Sequence, residues 1–179
     1  MLVRITTLAA LLMGGAATLE AQDHSHVSPY LDLMEREIKS LSNDDITSLL
    51  EGEGMGYALP AELHGFPGPK HILELADSLA LTPAQRADIE SIRDEMLAAA
   101  TRLGRDIVDG ERALDQRFQS GSIGAEDVHE STRRLGLLEG ELRAVHLSAH
   151  LTAKAVLTAH QLHLYHQLRG YASHHDMDR

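Results

Sequence analysis

Residues 81–85 read "LTPAQ", and residues 157–161 read "LTAHQ". In each, a Thr precedes a Gln by three positions. That is the spacing of a capping box, in which the hydroxyl and the amide each satisfy a backbone N–H left free in the first helical turn. Pro83 adds a residue suited to the first helical position, where no amide donor is needed. Thr82 with Gln85, and Thr158 with Gln161, are therefore expected to open two helices.

Downstream of Pro83, apolar residues recur at 89, 92, 96, 99/100, 103, 107, 114 and 118, with Gly110 standing in the stripe. Those steps of three and four persist for about ten helical turns. "QSGSIGAED" breaks the pattern with two glycines and offers Ser122 as a cap. A second stripe then runs Val128, Thr132, Leu135, Leu138, Leu142, Val145, Ala149, Thr152 and Val156. Two long amphipathic helices joined by a short connection fold back on each other to bury their seams. A last helix from Ala159 to about Arg169 stops at Gly170. The expected class is all-α: a long antiparallel helical hairpin with short flanking helices. Two helices bury one seam each, so flanking helices or a second copy of the chain must cover what remains apolar; a homodimer is the expected solution.

Upstream, residues 22–56 form an acidic arm with eight acids and two basic residues. It holds the amphipathic run "YLDLMEREIKSL" and then "SNDDITSLLEGEGMG", with Ser42 or Asn43 as N-cap and Gly52, Gly54 and Gly56 ending the helix. "ALPAELHGFPGP" reads as a loop because of its prolines and glycines, and "KHILELADSLA" as a short helix. Residues 1–21 read as a secretory signal, with Arg4 as the positive region, Ile5 to Leu12 as the apolar region, and cleavage after Ala21. A retained anchor is the competing reading, although the apolar run is shorter than the roughly 20 residues of a membrane span. An exported protein without a stable membrane span follows from cleavage.

The chain has 179 residues and no cysteine, which excludes disulfides, thiolate metal sites and thiol nucleophiles. Two Phe, four Tyr and no Trp suit a helical layer packed by Leu, Ile, Val and Ala. A net charge of −11 argues against nucleic acid and anionic membranes as partners. Histidine is the outlier, with 12 residues, all after the signal segment.

His146 and His150 stand four apart on the second long helix, so both imidazoles share one face within reach of a single metal ion. His71 is the third candidate ligand, with Glu74 one turn along as a carboxylate. A nitrogen and oxygen donor set of this kind suits Zn(II), Ni(II), Co(II) or Cu(II) without choosing among them. The opposing reading makes His146 and His150 decorations of a solvated face, and the spacing alone leaves both open. His160, His163 and His166 form a second cluster on the last helix, where core-edge and surface roles compete with metal binding. "DHSH" (His24, His26) and "SHHD" (His174, His175, Asp176) sit near the ends, where unorganised ligands bind weakly.

Enzyme motifs fail on inspection. "GEGMG" lacks the Lys-Ser/Thr of a phosphate loop, "HEST" at 129–132 is followed by Arg133 where a zincin needs its second His, and no Gly-x-Ser-x-Gly elbow exists. No catalytic role is expected.

The doubled motif, Leu81-Thr82-x-x-Gln85 and Leu157-Thr158-x-x-Gln161, resembles the periplasmic LTxxQ family. That family comprises the Spy and CpxP stress chaperones with zinc-resistance-associated and CnrX-type heavy-metal sensors. "LTAHQLHLYHQLRGY" is similar to the family's common ending, and "AELHGFPGPKHILELADSL" to the approach to the first motif in its metal-sensing members. The resemblance covers about residues 57–171, leaving 172–179 as a His-rich tail. It implies a non-enzymatic, dimeric periplasmic protein with a cradle-like hairpin. It further implies either binding of a divalent metal (Zn, Ni or Cu) reported to an envelope sensor kinase or anti-sigma partner, or ATP-independent holding of unfolded clients. Spy-like cradles are basic, whereas this chain is acidic with only three lysines, which shifts the expectation toward metal response.

Overall fold

The computed structural model describes residues 28–171. The chain divides into two units at Leu33, and the described residues 33–171 belong to the second, which is compact. The signal segment and both terminal histidine groups lie outside the described residues.

A 3-10 turn spans Leu31–Leu33, and six α-helices follow: α1 (Asn43–Glu51), α2 (Leu59–Leu63), α3 (Pro69–Glu74), α4 (Pro83–Gln119), α5 (Ala125–Val156) and α6 (Ala159–Leu168). Among the described residues there is no strand. The all-α hairpin is thus present, with α4 and α5 packed along their lengths, α1 against α4, and α3 against both.

The local rules explain most boundaries. Ser42, Thr82 and Thr158 each cap a helix through the side-chain oxygen, and each donates its own backbone N–H to the side chain of Asp45, Gln85 or Gln161 in return. The bonds from Ser42 hold the Asp45 carboxyl below its ordinary range. α1 ends on Gly52 in the left-handed region, at φ 71°. α5 begins two residues later than a Ser122 cap would place it: Gly124 is the N-cap, and its N–H donates to Asp127 Oδ2 at 2.9 Å.

Three flanking segments differ from expectation. "YLDLMEREIKSL" forms no α-helix; it turns so that Ile38 is fully buried while its neighbours stay exposed. The Pro/Gly-rich stretch contains the short α2, because Pro60 falls in a first turn, where its missing N–H costs nothing. The helix before the first motif stops at Glu74, and residues 75–80 continue as turns to Ala80 at φ 48°.

Two apolar clusters hold the second unit together. The first joins Ile38 and Leu49 to Ala100, Leu103, Ile107 and Val108 of α4 and Leu135 and Leu142 of α5. The second joins Ile72, Leu79, Ile89, Ala153, Leu157 and Tyr165. Close approach depends on two glycines of α4. A Cβ on Gly104 would lie 1.9 Å from the Leu49 carbonyl oxygen, so α1 crosses α4 at backbone contact. A Cβ on Gly110 would lie 2.9 Å from Leu135 Cδ2, which explains the gap in the first stripe.

The second stripe is rotated relative to expectation. Thr132 and Thr152 are exposed, and the buried residues of α5 are Leu135, Leu142, His146, Ala149, His150 and Ala153. A pattern repeating every 3.5 residues drifts by about 20° per heptad on a straight helix. Over α5 that drift carries the C-terminal half of the buried face onto the histidines.

Candidate metal centre

Between the two apolar clusters the interior turns polar. On α5 the stretch from Leu142 to Ala153 carries His146 and His150, and α4 passes Arg93, Met96 and Leu97 alongside. Here lies a pocket of about 490 Å³, walled by these side chains, by the Glu51–Gly56 turn, and by Glu62, Gly68 and His71. His71 from α3 and the i, i+4 pair from α5 thus line one pocket.

Both α5 histidines are buried, at 3% exposure for His146 and 9% for His150, which removes the solvated-face reading. His150 Nδ1 lies 2.6 Å from the Phe66 carbonyl oxygen. A carbonyl only accepts, so Nδ1 carries the hydrogen and the lone pair of the neutral ring sits on Nε2. Metal-ligating histidines are commonly held this way, by a backbone carbonyl or carboxylate behind the ring. The Lys154 ammonium stands 3.7 Å from the Phe66 ring centroid and packs that loop residue against α5. His146 Nε2 is buried without a hydrogen-bond partner. Burial, and then the neighbouring His150, pull the His146 pKa below its ordinary value, keeping a neutral ring with an available lone pair.

Behind the pocket stands Glu62 of α2, a carboxylate only 5% exposed. Its Oε2 accepts the Gly68 N–H at 3.0 Å and lies 3.8 Å from His150 Nδ1. Its Oε1 accepts the hydroxyls of Tyr165 and, at 3.3 Å, of Tyr171. His71 Nδ1 approaches the same oxygen at 3.5 Å, and Arg169 Nε at 3.8 Å. Burial, reinforced by the bond to Glu62, drives the Tyr165 phenol far above its ordinary pKa, so it stays a donor. Glu62 therefore faces the Nδ1 sides of His71 and His150, the position of a carboxylate that orients metal-binding imidazoles from behind. Glycine at 68 is required by this packing, since a Cβ there would fall 2.8 Å from the His150 ring.

The remaining candidates lie elsewhere. Glu74 is exposed at the end of α3 and does not line the pocket. His160 and His163 are exposed on α6, where His163 Nε2 lies 3.0 Å from the Gln167 amide nitrogen. As the side chains stand, no three His, Asp or Glu among the described residues converge on one point closely enough to hold a metal ion. The donor chemistry and the orphaned His146 nitrogen fit a transition metal; closing the three rings around it requires them to move toward one another.

Glu62 was missed by sequence reasoning. It lies in a segment with no helical or strand periodicity, and the groups that surround it come from α5 and α6, both distant in sequence. Comparison with known proteins finds no matching family model, no matching characterised protein and no matching solved structure.

Proposed function

We propose that this is an exported, periplasmic, metal-responsive protein that binds a divalent transition metal, Zn, Ni or Cu, through His71, His146 and His150. The observation carrying this reading is the shared pocket of these three imidazoles, with two buried nitrogens, His71 Nδ1 and His146 Nε2, without hydrogen bonds and the third ring backed by a carbonyl. His71 comes from α3 and the other two from α5, so a bound metal ties separate elements together. An ion preferring the closed arrangement shifts the population toward it by its difference in affinity for the two. That shift is the signal, passed to an envelope stress or metal-resistance partner. A second copy of the chain covers apolar surface left exposed on the hairpin, including Leu137 and Leu151.

Calorimetric titration with zinc, nickel and copper salts tests the assignment, wild type against the double variant His146→Ala/His150→Ala. Saturable binding that is lost in the variant supports it; unchanged binding rules out this pocket.

A second reading, holding of unfolded client proteins, draws on the exposed Phe118, Leu137 and Leu151. Aggregation suppression without metal and insensitive to the histidine changes would favour it.

A further inference from the structure

We propose that Glu62 is a positioning residue that couples occupancy of the imidazole pocket to the docking of α6; this rests on the metal reading above. Acceptor capacity on Glu62 is limited. A carboxylate oxygen has two lone pairs, and on Oε1 both are taken, by the Tyr165 and Tyr171 hydroxyls. His71 Nδ1 waits beside that oxygen at 3.5 Å, buried and without a hydrogen bond. Arg169 Nε, at 3.8 Å, is likewise buried without a bond, so two surplus donors stand at a site with room for two, and His71 is the nearer.

The other donors are not equally replaceable. Tyr165 is fully buried within the second apolar cluster, while Tyr171 is half-buried and donates from 3.3 Å. Arg169 donates to the Tyr171 hydroxyl at 3.3 Å and still holds that oxygen when the hydrogen turns from Glu62 to solvent, which the half-buried ring can reach. Engagement of the outer edge of the His71 ring by a cation fixes the ring hydrogen on Nδ1 and makes it a stronger donor toward the carboxylate. His71 then claims Oε1 and Tyr171 yields it. Loss of that bond loosens the C-terminal end of α6, whose attachment to α2 runs through Glu62. The pocket and the end of the last helix thus compete for one oxygen atom.

The test combines zinc calorimetry with hydrogen exchange on the full mature chain. Zinc is expected to speed amide exchange toward the end of α6, at residues 165–171, while slowing it around His146 and His150. Linkage requires the reverse effect as well: Tyr171→Phe, which vacates the contested lone pair, binds zinc about five-fold more tightly than wild type. A tyrosine whose role is only structural would weaken binding or leave it unchanged when altered. Unchanged exchange in α6, or a Tyr171→Phe affinity no higher than wild type, overturns the coupling and leaves the metal reading intact. If wild type binds no zinc, both fall together. Should Tyr171→Phe fold poorly, the wild-type exchange result decides alone.

Discussion

Gln85 and Gln161 form a reciprocal amide pair. Gln85 Nε2 donates to Gln161 Oε1 at 2.8 Å, and Gln161 Nε2 donates to Gln85 Oε1 at 3.1 Å. Each amide oxygen also accepts the N–H of its own cap, Thr82 or Thr158. The nitrogens reach across the junction to the Val156 and Leu79 carbonyls. The motif occurs twice because the two copies are halves of one joint, binding the start of α4 to the α5–α6 corner.

A capping box works equally well with Glu or Gln, but this joint does not. Gln161→Glu keeps the cap oxygen and loses both amide donations, leaving the buried Leu79 carbonyl unpaired. It is expected to cost about 2–3 kcal/mol, the range for a buried polar group left unsatisfied. Chemical denaturation measures this, and a cycle with Gln85→Ala should show non-additivity. Stability equal to wild type would mean the two motifs act independently.

At Gly104 the ordinary helix preference reverses. Alanine inside a helix normally gains up to about 1 kcal/mol over glycine. Here the added methyl would meet the Leu49 carbonyl at 1.9 Å, backbone against backbone. Gly104→Ala should therefore destabilise by about 2–3 kcal/mol or displace α1, in line with overpacking of a closed interface. Thermal unfolding, with Gly136→Ala as a control where nothing lies within 4 Å, checks the sign.

The His146 environment sets a pH dependence. The folded-state pKa is depressed below the ordinary 6.5 by burial and by His150. The unfolded chain therefore binds more protons between the two values, so this histidine's contribution is complete above about pH 6.5 and is lost as pH falls below it. Denaturation curves at several pH values should show stability declining on acidification, with a shallower slope in His146→Gln. The same protonation competes with metal, so zinc affinity should fall over that range.

If the pocket takes a metal, ligand-linked stabilisation follows. At a free zinc concentration 100 times the dissociation constant, stability should rise by about 2.7 kcal/mol, and chelation should reverse it. His71→Ala should reduce the rise, whereas Glu74→Ala, exposed and away from the pocket, should not. An equal rise in the His146→Ala/His150→Ala double variant would place binding elsewhere.

The helical class, the long α4–α5 hairpin and the two Thr-initiated starts were legible in the amino-acid sequence, because capping and apolar periodicity act over a few residues; the flanking segments around α1 and α2 were not. The shared face of His146 and His150 was legible by the same logic, as i, i+4 spacing on one helix; His71 stands on another helix, and spacing alone could not relate it to them. What the residues alone could not convey was depth. Whether His150 faced water or the interior turned on the drift of a 3.5-residue pattern along a straight helix, and on how Gly68 admitted the ring. Glu62 was invisible because nothing within its own segment distinguishes a surface carboxylate from a buried one. Only the return of α6, bringing Tyr165 and Tyr171 to its oxygen, decided which it was. Local hydrogen bonding and periodicity are written in neighbouring residues; desolvation is imposed by parts of the chain far away in sequence.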